Sequence, residues 1–529
     1  MNPTIIPRLA DPTYDGLAAA MQWHIPDVFN MGAACADIAP PDAVALVTVE
    51  RDREGASTTF GELSRWSGQL AAALKARGVD RGDRIGIVAP QSLETGLSHL
   101  AVWKLGAISL PLASLFGPDA LRYRLDDAGA RMALVSPENV VKVREAGPGI
   151  ELMVMDDDFW SELQACEPID SASTLAEDPA FLIYTSGTTG PPKGALHAHR
   201  ALFGHLPAFE LYYEYAPQPH DVIWTPADWA WIGGLMDVLV PAWYHGMTVL
   251  KAPHGFEPHE AVDLMVQHKV TCAFLPPTAL KMMRAAGAGS SNLQLRAIFT
   301  GGEPLGAEML GWAETNLGAR VNEGYGQTEA NIVVGNCAST WPVKPGSMGR
   351  PIPGHQVAVL DDEGNPAVGE VGELAVRAPD PVMMIEYWNQ PEATAGKYLD
   401  GWLLTGDLGR EDNDGYLWFV SRKDDIISSG GYRIGPGEIE ESLMGHAAVA
   451  HCAVTGVPDE IRGQVPAAYV VLNKGFTSSD HLAEELQQHV RVRLAAHEVP
   501  RHLFFVAELP RTTTGKIVRR ELRRIFDQA

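Results

Sequence analysis

FLIYTSGTTGPPKGALHAHRAL, residues 181–202, is the stretch that decides the reading of this chain. Four apolar or aromatic residues feed a loop of Thr, Ser and Gly, then Pro-Pro-Lys-Gly, and the pattern after it predicts a helix. Glycines let backbone N–H groups turn inward on an anion. The hydroxyls of Thr185, Ser186, Thr188 and Thr189 add donors, and Lys193 adds a mobile positive charge beside Gly187 and Gly190. By composition this is a phosphate cradle. It is not the common NTPase loop, because Lys193 is followed by Gly194 and not by Ser or Thr.

Around that stretch, short apolar runs alternate with longer helical patterns. RIGIVAP (84–90) reads as a buried strand with a helix behind it at 93–107. A helix at 120–130 precedes a strand at 131–136, a helix at 262–269 precedes a strand at 270–275, and LRAIFTGGEPL (295–305) runs from a strand into a Gly turn. This rhythm predicts an α/β fold, with parallel sheets covered by helices in a large N-terminal domain. After residue 346 the texture changes to alternating strands around a turn cluster, a β-rich subdomain over 346–423. Pro436, with Glu438, Glu440 and Glu441 behind it, marks a helix start in a separate, small, mobile α+β domain. The expected domains are 1–423 and 424–529.

Length and charge narrow the function. At about 150 residues per domain, 529 residues hold roughly three domains' worth of chain. The net charge of −25 opposes nucleic acid and anionic membranes, so a phosphate-bearing ligand must be held by local devices. Five scattered cysteines fit reduced thiols in the cytoplasm. No CxxC or HExxH supports a zinc site, and no apolar run is long enough for membrane insertion.

YTSGTTGPPKG resembles the signature of the adenylate-forming superfamily: acyl-CoA synthetases, peptide-synthetase adenylation domains and beetle luciferases. GGEP (301–304), GYGQTEA (324–330), LLTGDLG (403–409), SRKDD (421–425), SGGYRI (429–434) and PRTTTGK (510–516) follow in the family's order. The resemblance runs from about residue 30 to the end and points to the medium-chain branch of the AMP-forming acyl-CoA synthetases. It implies ATP, Mg²⁺ and CoA, a small carboxylic acid as substrate, and no nucleic-acid partner.

Each motif then carries an expected role. Thr328 holds an α-phosphate oxygen and Glu329 holds Mg²⁺. Tyr325 offers a flat face to adenine, Glu323 accepts from its amino group, and Gly324, Gly326 and Gln327 complete that loop. Gly301, Gly302, Glu303 and Pro304 lie at a strand end where backbone can approach the base. Asp407 resembles the carboxylate that accepts the ribose hydroxyls, with Arg422 near the ribose or phosphate and Arg433 on phosphate. Lys516 resembles the lysine that bridges carboxylate and α-phosphate as charge develops. Two successive reactions need that lysine in place and then gone, so the resemblance implies rotation about a hinge at Asp424. The swing would bring Ser429, Gly430, Gly431 and Tyr432 to a CoA tunnel, with Arg491 on CoA. Arg519, Arg520, Arg523 and Arg524 are read as a solvated helix face.

For the acid itself, relatives that use acetate carry Trp where this chain has Gly326. Gly233 and Gly301 also stand where bulkier residues occur, with Ile232 adjacent. Trp229 and Trp231 either wall the pocket or pack the core. The expectation is a medium-length, branched or aryl acid. Asp228 keeps amino-acid activation open, with transfer to a carrier protein. Luciferase-like oxidation and a non-catalytic nucleotide-binding protein are the remaining alternatives.

Overall fold

The computed structural model describes residues 3–50, 53–185, 191–253, 255–429, 432–459, 461–494, 497–511 and 517–528. By packing, the chain falls into two units. One is Met1–Val357 with Val376–Leu403, and the other is Ala358–Ala375 with Leu404–Ala529.

The first unit is built on two sheets. The larger runs Arg350–Pro351, Ala330–Gly335, Arg320–Gln327, Ala297–Gly301, Cys272–Phe274, Val222–Trp224, Thr248–Lys251, Val44–Glu50, Arg53–Thr59. Its central strands, from Arg320–Gln327 to Val44–Glu50, are parallel. The second sheet runs Glu386–Tyr387, Lys193–Ala198, Pro179–Thr185, Ile108–Leu112, Arg84–Val88, Met132–Val135, Glu151–Val154. Ile108–Leu112 and Met132–Val135 are buried along their whole length. That is what parallel strands covered on both faces require. The covering helices start on side-chain caps. Thr59 and Glu62 form a reciprocal capping box for Phe60–Ala76, and Ser92 caps Leu93–Lys104 by accepting from the Thr95 amide.

One expectation is corrected. The Gly-rich loop does not run directly into a helix. Lys193–Ala198 returns antiparallel to Pro179–Thr185, with Thr185 opposite Lys193, and only then does helix Ala201–Tyr212 begin. The segment GALHAH buries every residue, including His197. An all-buried run of this length is a sheet interior, and its period could not separate it from a helix.

The second unit contains most of the sheet that runs Val357–Leu360, Val371–Arg377, Trp402–Glu411, Tyr398–Leu399, with Leu417–Arg422 also paired to Trp402–Glu411. It also holds a second sheet in the order Tyr432–Ile434, Ile427–Ser429, Gly463–Leu472, Val449–Asp459, with His502–Phe505 parallel to Gly463–Leu472. Helices Pro436–Met444 and Asp480–Arg493 cover it through Ile439, Leu443, Leu482, Leu486 and Val490. The expected break at 423/424 falls within this unit. Among the described residues, no helix is long and apolar enough to cross a membrane.

Candidate active site

Open parallel sheets bind ligands outside the carboxyl ends of their strands. In the first unit, Trp224, Phe274, Gly301 and Gly324 stand at or near those ends on four neighbouring strands. Gly301 pairs with Gly324, and a Cβ on Gly301 would lie 2.7 Å from the Gly324 carbonyl oxygen. Close approach of the two strands therefore demands glycine there. Gly302 is different. Its φ is +91° and nothing lies within 4 Å of where its Cβ would be, so it presents bare backbone to open space. Glu303 and Pro304 continue this turn.

Glu323 lies on the adjacent strand, with Oε1 accepting from the Leu305 amide at 3.1 Å. Burial pushes its carboxyl up to about 7, against that one stabilising hydrogen bond. Tyr325, Gly326, Gln327 and Thr328 are half-buried behind it, and Glu329 is buried. The Tyr387 hydroxyl donates to Glu329 Oε1, and the Met384 amide donates to the Glu329 carbonyl. Lys193 Nζ sits 5.1 Å from the centre of the Tyr387 ring, a cation over a π face. Lys193, Tyr387 and Glu329 thus form one contiguous row. Tyr387 carries no motif, and 58 residues separate it from Glu329. Ser186, Gly187, Thr188, Thr189 and Gly190 lie outside the described residues.

Among the described residues, no group of three His, Cys, Asp or Glu side chains comes together as a metal cage. A single buried carboxylate such as Glu329 fits Mg²⁺, which keeps several waters and takes its other ligands from phosphates.

The side chains expected at the acyl pocket separate into two kinds. Trp229 is fully buried and packs edge-on to Trp243, 6.5 Å between ring centres. It is core. Trp231 is half-buried and meets Phe116 edge-on, and Ile232 and Gly233 beside it are also half-buried. Gly326 does not read as vacated volume. A Cβ there would lie 1.9 Å from the Ile332 amide nitrogen, so the turn between its two strands excludes any side chain unless backbone moves. Asp228 caps its own turn, with Oδ1 accepting from the Ala230 amide at 3.0 Å.

In the second unit, Asp407 and Arg422 face each other across paired strands, and Arg422 Nε donates to Asp407 Oδ1 at 3.2 Å. Asp424 sits in the 3-10 turn Lys423–Asp425. Ser429 is buried and pairs with Tyr432, and Arg433 pairs with Ser428. Arg491 is exposed on helix Asp480–Arg493. Gly430, Gly431 and Lys516 lie outside the described residues.

The solvated arginine face is half right. Arg520 and Arg524 are largely exposed and meet Glu521. Arg519 is not solvated. It donates to the Val454 carbonyl at 3.0 Å, to Glu440 Oε1 at 2.6 Å and to Asp425 Oδ2 at 3.2 Å. Arg523 donates to Thr455 Oγ1 and to the carbonyl of Asp424. One face of helix Arg519–Gln528 is therefore fastened to the expected hinge turn.

Comparison with known proteins agrees with this geometry. The family described as AMP-binding enzyme matches residues 35–388, and the AMP-binding enzyme C-terminal domain matches 438–516. The chain is 35% identical to the uncharacterized acyl-CoA ligase YtcI of Bacillus subtilis, over 92% of this chain and 93% of that one. It is 33% identical to the acetyl-coenzyme A synthetase of the same organism, over 88% and 84%. Among solved structures, a benzoate CoA ligase from Burkholderia xenovorans superposes with a TM-score of 0.84 at 29% identity, covering 94% of this chain and 100% of that one. The chain belongs to the AMP-binding enzyme family, as one of its ATP-dependent, AMP-forming acyl-CoA synthetases.

Proposed function

We propose that the protein activates a medium-length, branched or aryl carboxylic acid in the cytoplasm. The acid's carboxylate oxygen attacks the α-phosphorus of ATP, giving acyl-adenylate and pyrophosphate. The CoA thiol then attacks the acyl carbonyl, its proton is lost, and AMP leaves. The observation that supports this best is the row Lys193–Tyr387–Glu329 beside the half-buried Thr328 and the open backbone of Gly302.

In this reading Lys193 and the loop before it bind the β- and γ-phosphates. Thr328 donates to an α-phosphate oxygen. Mg²⁺, when bound at Glu329, supplies charge neutralisation at the phosphates. Tyr387 holds the Glu329 carboxylate in one orientation through its hydroxyl. Glu323 receives the adenine amino group, and Tyr325 stacks on the base. Asp407 takes the ribose hydroxyls, with Arg422 fixing its carboxylate and Arg433 reaching phosphate. Lys516 neutralises the developing charge in the first step. Rotation about Asp424 withdraws it and lets Ser429, Gly430, Gly431, Tyr432 and Arg491 receive CoA.

Two half-reactions test the scheme. Lys516→Ala abolishes acid-dependent pyrophosphate exchange yet forms thioester from supplied acyl-adenylate, and Asp424→Pro does the reverse. Full exchange by Lys516→Ala would refute it. A panel of acetate, butyrate, hexanoate and benzoate tests the acid. Acetate giving the highest kcat/KM would overturn the substrate class and leave the ligase chemistry standing.

A further inference from the structure

The segment after strand Val222–Trp224 winds into a π-helical turn, Leu235–Leu239, with Asp237 at its centre. Such turns are uncommon and gather at functional sites. Asp237 is 4% exposed. Its Oδ1 accepts from Asn331 Nδ2 at 2.6 Å. Among the described residues, Oδ2 takes part in no hydrogen bond.

Where Oδ2 lies is fixed by its neighbours. A Cβ built on Gly233 would stand 3.6 Å from Asp237 Oδ2 and 3.0 Å from the Phe274 ring. Phe274 ends the strand beside Val222–Trp224. Asn331 follows Glu329 by two residues on the hairpin that carries Thr328. The open oxygen therefore borders the carboxyl ends of the strands, on the side where Gly233 lacks a side chain. The Tyr213 hydroxyl donates to the Asp237 carbonyl and not to its carboxyl group, and the buried Tyr212 hydroxyl, which feels the Asp237 charge, has no partner among the described residues. Oδ2 of the Asp237 carboxyl group is not among the described unmatched atoms sealed from solvent, so a molecule in the adjoining space can reach it. Burial also pushes its acidity well down, so the group can meet a ligand as a neutral acid or, beside an amine, as a carboxylate.

We propose that Asp237 is a specificity residue whose Oδ2 hydrogen-bonds a hydroxyl, oxo or amino substituent on the acyl part of the acid. The preferred substrate is then a polar-substituted carboxylic acid and not a plain alkyl or aryl one. This rests on the acyl-CoA synthetase reading above and narrows it.

The test is kcat/KM for full-length wild type, Asp237→Asn and Asp237→Leu on matched pairs. Suitable pairs are butyrate with its hydroxy and amino derivatives, pentanoate with an oxo derivative, and benzoate with its hydroxy and amino derivatives. Wild type should favour at least one substituted acid over its plain partner by about tenfold or more. The Leu variant should erase that ratio while still turning over the plain acid. A change in fold alone would lower both members of a pair together and leave the ratio in place. Should the Leu variant fail to fold, the near-isosteric Asn variant carries the test, and its ratio should shift by about threefold or more. A wild-type preference for every plain acid, or an unchanged ratio in the folded variants, overturns the proposal. AMP release with none of these acids would instead refute the substrate class on which it stands.

Discussion

Arg519→Met should loosen the C-terminal module far more than a surface arginine would. The guanidinium is 19% exposed, and it faces Glu440 at 19% and Asp425 at 16%. Arg523 remains 3.8 Å from Asp425, so Glu440 loses the most. Removing one member of a buried ion-paired group costs about 3 kcal/mol, because the partners are left buried and uncompensated. That corresponds to roughly a hundredfold in an opening equilibrium. Hydrogen–deuterium exchange reads it locally, as faster exchange in helices Pro436–Met444 and Arg519–Gln528, without assuming that a two-unit chain unfolds in one step. Arg519→Met/Glu440→Gln should recover much of the loss, since both charges are then gone. Exchange within about threefold of wild type in both helices would refute the argument.

The same variant carries a pH signature. Burial already raises the Glu440 carboxyl in the folded state, and Arg519 works against that. Without Arg519 the folded value climbs further. A carboxyl raised above its unfolded value supports folding at low pH and withdraws that support as pH rises through the folded value. The deficit of Arg519→Met should therefore shrink as pH falls, because Glu440 can escape by taking a proton. A deficit that grows on acidification would contradict the assignment of Glu440 as the stranded group.

Two further outcomes follow from the first unit. Glu323, at about 7 in the folded protein, must shed its proton to accept strongly from an adenine amino group. ATP affinity by calorimetry should therefore weaken as pH falls through 7, whereas Glu323→Gln should bind more weakly at high pH with no such slope. In the free protein the sign reverses: this raised carboxyl favours folding below its unfolded value and loses that contribution as pH rises toward 7. Gly326→Ala should cost about 1–3 kcal/mol by chemical denaturation, as overpacking does. Its Cβ would meet the Ile332 amide nitrogen at 1.9 Å, and an unchanged midpoint would show that the hairpin gives way freely.

How much of this was legible in the sequence depends on how far apart the partners lie. Arg84–Val88 and Met132–Val135 were readable because a strand buried on both faces needs little more than its own apolar run. Gly302 was readable as a place for bare backbone, and its φ of +91° is the reason glycine stands there. Gly326 was readable as small but not as forced, since the atom that forces it belongs to the returning strand. Tyr387 with Glu329, Asn331 with Asp237, and Arg519 with Asp425 are separated by 58, 94 and 94 residues. No local pattern announces such pairs.

The arginines of RRELRRIF nevertheless held a usable signal. Leu522 is buried and Phe526 packs behind it, one helical turn apart. Arg519 and Arg523 flank Leu522 on that same face, and Arg520 and Arg524 fall on the other. Helical geometry thus divides four identical residues into two packed against the module and two in solvent. The packed pair takes carboxylate or carbonyl partners that only the fold supplies, here the turn Lys423–Asp425, helix Pro436–Met444 and strand Val449–Asp459. Arg519 lies three residues after Lys516 in the sequence. A pivot at Asp424 would then have Arg422 and Lys423 held through Asp407 and Glu373 on one side, and Asp425 held by Arg519 on the other. The change from one set of partners to the other occurs across a single residue, which is where a rotation would disturb the fewest ion pairs.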